Sequence, residues 1–213
     1  MSEAHLHFQY EDIEHQSDSA LDGMWLFLAQ EILFFGALFF AWLLNRHYHP
    51  LGYHRAAQQT DLLIGSINTV LLITSSATYA LGLRFIQVGD RVRLFRFCAV
   101  TVLLGAVFLA LKGLEWHEDL AKHMNPGLYF GLSGPDAGGA QLFWCFYWVA
   151  TALHGVHMAV GIGLVLWLLA QIRKGAYSAA WHTPVEVVGI YWSFVDVIWL
   201  ILYPLIYLVG RPG

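Results

Sequence analysis

Charge is what this chain has least of. Asp, Glu, Lys and Arg together make up 12% of its 213 residues, about half the share of a soluble domain. So few charges cannot cover a water-facing surface, and a freely soluble globule is excluded. The 11 basic and 15 acidic residues leave a net charge of −4. There is no basic stripe of the kind a nucleic-acid partner needs, so none is expected. Cysteine is almost missing as well. Cys98 and Cys145 both fall within apolar runs, which excludes a disulfide framework and makes both read as small core residues. No nucleophile elbow, phosphate-binding loop, dinucleotide fingerprint or HExxH helix occurs, so no catalytic residue is assigned. No Lys or Arg precedes the first apolar run, so the amino terminus does not read as a secretory signal peptide.

What remains is apolar. Hydrophobic residues make up 58% of the chain. A bilayer core is crossed by about 20 residues of helix, and five runs meet that length: 23–44, 62–83, 97–116, 143–169 and 185–209. They are continuous rather than alternating, which predicts helices and not barrel strands. The expected fold is all-α, a polytopic membrane bundle of five transmembrane helices. Residues 1–22 form an N-terminal tail and residues 23–213 the membrane domain. Trp25 and Trp42 bracket the first run, and Trp116, Trp144, Trp167 and Tyr207 lie near the ends of others, as interfacial aromatic anchors would. Gly65, Ser66, Ser75, Ser76, Ala77 and Ala80 make the second run small-sided, a packing signature between spans. Arg84, Arg91, Arg93 and Arg96 share one side with Arg173 and Lys174, against Arg46, Arg55, Lys122 and Arg211 on the other. That asymmetry predicts an amino terminus on the cytoplasmic side, or its mitochondrial equivalent, and a carboxyl terminus on the outer side.

Ionisable groups inside the runs are therefore conspicuous. Glu31 sits eight residues into "GMWLFLAQEILFFGALFFAWLL", about 12 Å along a helix. Hydrocarbon does not tolerate a bare carboxylate there, so it must be protonated, paired, or open to water or lipid headgroups. A hydrogen bond between helices and a proton- or lipid-related site are both open readings. Asp196, near the middle of the last run, reads first as an interhelical hydrogen-bonding group. Glu186 lies at the inner end of the same helix, near the positive pole of its dipole. His154 and His157 in "HGVH" share a helix face but fall short of a metal's three or four ligands. They read instead as a polar face turned towards other helices, with an acid such as Glu31 one candidate partner. His47, His49 and His54 fit no zinc spacing, and no metal site is predicted. His5, His7 and His15 lie among tail acids. That segment is either simply solvated or a surface that collects protons.

The stretches "GMWLFLAQEILFFG", "INTVLLITSS", "LKGLEWHE", "FWCFYWVATALHGVHMAVG" and "VEVVGIYWSFVDVIWLILYPLIY" occur in order and at intervals that resemble subunit III of the haem–copper cytochrome c oxidases. The resemblance implies that Glu31 is the family's membrane-embedded glutamate, and that His154, His157, Glu186 and Asp196 match its helical polar positions. Glu115 and Glu118 fall on a family acidic pair at the outer end of the third span. It also implies a non-catalytic subunit without its own haem or copper, those groups lying in partner subunits. Such a subunit packs against subunit I with subunit II in the same complex, holds phospholipid and supports proton uptake. The long form of the family has seven spans where five are read here. Ser193 stands where many relatives have histidine, and Gln30 replaces a small polar residue beside Glu31. An accessory subunit of a quinol oxidase or nitric oxide reductase is the neighbouring alternative. A stand-alone proton-coupled transporter built on Glu31 and Asp196, or a membrane haem protein, belongs to a different class.

Overall fold

The computed structural model describes residues 10 and 12–209. Six α-helices follow in chain order: α1 (Ile13–Tyr48), α2 (Pro50–Ala57), α3 (Leu62–Gln87), α4 (Arg91–Ala121), α5 (Ala137–Arg173) and α6 (Thr183–Tyr203). A π-helical turn, Pro204–Leu208, extends α6. The only β pairing among the described residues is a lone bridge between Ser178 and Trp181. Among the described residues, five helices are long and apolar enough to cross a bilayer: α1, α3, α4, α5, and α6 with its π turn. The expected five-helix, all-α membrane bundle is observed.

The first four expected runs each lie inside a longer helix, and the fifth matches α6 and its π turn to within two residues. α1 begins ten residues ahead of Gly23, with the Asp12 carboxylate accepting from the His15 amide as its N-cap. Asp61 and Asp90 cap α3 and α4 in the same way. Hydropathy marks the hydrocarbon-matching part of a helix, whereas caps mark its ends. The first connection also holds α2, started by Pro50 at its first turn.

The bundle packs on a heptad-like stripe. Buried residues recur at alternating intervals of three and four on α3 (Gly65, Asn68, Leu72, Ser75, Tyr79, Gly82, Ile86). The same rhythm runs along α4 from Leu94 to Asp119 and along α5 from Tyr147 to Ile172. That period is the one that seats side chains of one helix between those of its neighbour. Lipid offers no hydrophobic drive for association, so close van der Waals contact supplies it, and small residues make room. Gly65 lies under the Tyr207 ring, Gly105 under Trp192 and Gly189 under Tyr79; a Cβ on any of them would come within 2.9 Å of ring carbon. Ser66 bonds the Tyr203 hydroxyl at 2.8 Å. Two residues of the small-sided run, Ala77 and Ala80, face outward instead.

Two sequence expectations are corrected. Trp42, Trp144 and Tyr207 are not interfacial anchors but fully buried core side chains. Position along a helix fixes depth, not direction. Cys145 is exposed, while Cys98 is buried as expected.

The helix ends form two faces. One carries α2, the α4–α5 connection and the end of α6. There the Asp136 carboxylate accepts from the Gly52 and Gly139 amides and pairs with His49 Nδ1 at 2.8 Å. Burial alone would raise the Asp136 pKa, but these donors outweigh it and hold the carboxyl below its usual range. Arg55 donates to the Pro135 and Ser133 carbonyls at 2.7 and 2.8 Å, closing the clip. The other face carries the arginine-rich α3–α4 connection, Arg173 and the start of α6.

Candidate functional site

Polar groups within the bundle gather at three places. The first lies between α1 and α5. His157 Nε2 stands 3.3 Å from Glu31 Oε2, with the two side chains 17% and 13% exposed. His157 Nδ1 lies 2.8 Å from the Leu153 carbonyl, which fixes Nδ1 as the donor. Phe35 closes one side of the imidazole, ring centroids 5.4 Å apart. Glu31 is therefore paired rather than bare, on a helix whose other side is turned outward.

The second place lies between α3, α4 and α6. The Ser76 hydroxyl donates to Asp196 Oδ2. Trp192 Nε1 donates to Ser75 Oγ at 3.1 Å, and Thr78 and Thr101 hydroxyls lie 2.8 Å apart. Asp196 thus joins α6 to α3, as an interhelical hydrogen-bonding group would.

Of the third place the sequence marks Glu115 and Tyr207 but not Lys112, Asp119 or Tyr147. Lys112 Nζ is buried and donates three times: to Glu115 Oε2 at 3.0 Å, to the Tyr147 hydroxyl at 3.1 Å and to the Tyr207 hydroxyl at 2.8 Å. Tyr207 donates to Glu115 Oε1 at 2.7 Å. The Tyr147 hydroxyl lies 2.6 Å from Asp119 Oδ2 and 3.1 Å from Glu115 Oε1. Nζ also stands 4.5 Å from the centre of the Tyr147 ring. The π turn carries Tyr207 into this cluster.

The structure sorts the remaining expected residues. His154 and His157 part company: His154 is on the buried α5 stripe between Phe108 and Trp199, and neither ring nitrogen has a hydrogen-bond partner among the described residues. Glu115 is buried but Glu118 is exposed, so the acid that shares its cluster is Asp119. The spacing 112, 115, 119 continues the three-and-four rhythm of α4 and was the available signal. Glu186, in the first turn of α6, stands 3.2 Å from His182 Nε2. Together with Ser193 it supplies polar lining to a cavity of about 560 Å³ between α1, α3 and α6, whose walls include Trp25, Leu28 and Tyr79. His15 is exposed at the start of α1, and His5 and His7 lie outside the described residues.

The chain matches the family model of cytochrome c oxidase subunit III over residues 9–211. It is 33% identical to cytochrome c oxidase subunit 3 of Synechocystis sp., over 97% of this chain and 80% of the relative. Identity to cytochrome c oxidase subunit 3 of Thermostichus vulcanus is 37%, over 89% of this chain and 87% of the relative. Cytochrome bo(3) ubiquinol oxidase subunit 3 of Pseudomonas aeruginosa is 26% identical, over 93% of this chain and 90% of the relative. The chain belongs to the cytochrome c oxidase subunit III family. It is a multi-pass membrane protein and an accessory subunit of a haem–copper oxidase, associated with other oxidase subunits.

Proposed function

From that membership we propose that the chain is the non-catalytic subunit III of a cytochrome c oxidase. It lies against subunit I, with subunit II in the same complex, in the bacterial inner membrane. The amino terminus is cytoplasmic and the carboxyl terminus periplasmic. Haem and copper belong to the partner subunits.

One observation carries the reading of how it assembles. Only 17% of the most apolar stretch of α1 is buried within the chain, the least of the five spans. Leu26, Leu33 and Phe40 are all strongly exposed on it, yet the same helix holds Glu31 against His157. A helix with an ionisable pair on one side and large apolar side chains on the other suits a seam between subunits. Phospholipid binding is assigned to the cavity between α1, α3 and α6, where an apolar wall and a single carboxylate at Glu186 fit an acyl chain with an amine-bearing headgroup. Support of proton uptake is assigned to the amino-terminal acids and histidines, His15 among them, on the face that would be cytoplasmic.

The test is purification of the tagged chain from its native membrane in mild detergent. Haem-containing subunits and oxygen consumption with reduced cytochrome c are expected to come with it. Recovery of the chain alone would overturn the proposal. The ubiquinol oxidase relative favours a second reading: oxygen consumption with a quinol and none with cytochrome c would select it.

A further inference from the structure

The Lys112 cluster has one cation and two acids in a setting that water does not reach. Lys112, Glu115 and Asp119 are 3%, 1% and 2% exposed. Fully ionised, the group would carry an uncompensated negative charge, which a buried site does not sustain. Its hydrogen atoms point the same way. Lys112 spends all three N–H donors on Glu115, Tyr147 and Tyr207. Tyr207 spends its only one on Glu115. The Tyr147 hydroxyl has a single hydrogen and two carboxyl groups within reach, Asp119 at 2.6 Å and Glu115 at 3.1 Å. It can satisfy one of them.

We infer that the cluster binds one exchangeable proton, shared between Asp119 and Glu115 through the Tyr147 hydroxyl. With that proton the group is neutral: one ammonium, one carboxylate, one carboxylic acid. In the exchange, the protonated acid gives its proton to the Tyr147 oxygen as the tyrosine gives its own to the other carboxylate. One O–H bond breaks and one forms at the tyrosine, which ends unchanged, and the proton has crossed from Asp119 to Glu115. Asp119 lies in the last turn of α4 and is the member nearest the helix end. The other titratable groups acting on the cluster are Lys122 beyond α4, Asp61 at the head of α3 and His154 on α5. The π turn has a place in this arrangement, since π bulges are frequent at functional sites, and here it carries Tyr207. The site lies at the opposite face from His15 and does not rest on the assignments of lipid binding or proton uptake.

The experiment is infrared spectroscopy of the full chain in lipid, comparing the carbonyl stretch of protonated carboxylic acids between the parent and its variants. Asp119→Asn and Glu115→Gln each remove one negative charge, so each alone is expected to abolish the same band, because the remaining acid then balances Lys112. Lys112→Met is expected to increase the band, both acids now being protonated. Tyr147→Phe keeps the ring and should leave the band while slowing its shift on transfer to deuterium oxide. Circular dichroism of each variant reports whether the helices are intact. For variants that retain their helices, no change in either acid substitution would overturn the proposal. Loss in only one of them would mean that balance with Lys112 does not set the protonation, and would likewise overturn the proposal.

Discussion

Helices α1 and α6 lie side by side and are equally apolar. Yet 17% of the most apolar stretch of α1 is buried within the chain, against 61% for α6. α6 seats Trp192 over Gly105, ties Asp196 to Ser76 and, through its π turn, brings Tyr207 to Lys112. α1 leans on α5 through Phe35, Trp42 and the Glu31–His157 pair and on α6 through Phe27 against Tyr191, and leaves Leu26, Leu33 and Phe40 uncovered. Hydropathy measures how well a helix suits a membrane and says nothing of what stands beside it. One helix is finished by its own chain; the other waits for a neighbour.

Substitutions should separate the two helices. The largest loss is expected where α6 meets the buried charges. Lys112→Met removes three buried hydrogen bonds and forces Glu115 to take up a proton, and should cost about 3–5 kcal/mol of stability, read by thermal unfolding of the full chain in detergent. Gly105→Val pushes two methyl groups towards Trp192, which already allows a Cβ only 2.9 Å. It should cost about 1–3 kcal/mol by the same measurement. Glu31→Gln keeps the shape on α1 and removes only the charge facing His157. The expected loss is about 0.6 kcal/mol, with about 1.7 as its upper end. A loss as large as that of Lys112→Met would erase the contrast between rim and core.

How much of this could be read from the residues depends on what each feature rests on. The five spans are legible because a long apolar run has one physical meaning. Glu31 and Asp196 stood out because hydrocarbon gives an acid no partner. The pairing of Glu31 with His157 was nameable as a candidate but not derivable, since the two are far apart in the chain and a histidine face does not state which helix it meets. Lys112 went unnoticed because it lies inside a run that otherwise ends in polar residues. The resemblance marks Glu118 and not Asp119; one residue along a helix turns a side chain by about 100°, and only the packed bundle shows which of the two points in. Tyr147 and Tyr207 join the cluster from sequence distances of 35 and 95 residues from Lys112, and nothing local carries that information.

Two smaller effects complete the series. The His49–Asp136 clip is outside the spans, and its carboxyl is held below the usual carboxylate range. Its contribution is present from neutral pH down through that range and is lost only as pH falls below about 4, through the folded-state value. Asp136→Asn should therefore cost less than about 1 kcal/mol at pH 7, a difference that vanishes in acid titrations of stability. Leu33→Ala, on the open side of α1, should change the stability of the isolated chain by no more than about 0.5 kcal/mol in either direction.

The uncovered side of α1 is best examined by placing a spin label at residue 33, which is 76% exposed, with residue 114 on α4, 60% exposed, as reference. Access of dissolved oxygen to each label is measured in the purified oxidase and again in the chain stripped from it. Position 33 is expected to be shielded in the oxidase and open in the isolated chain. Equal access in both states would mean that nothing covers α1, and the seam assigned to it would not exist.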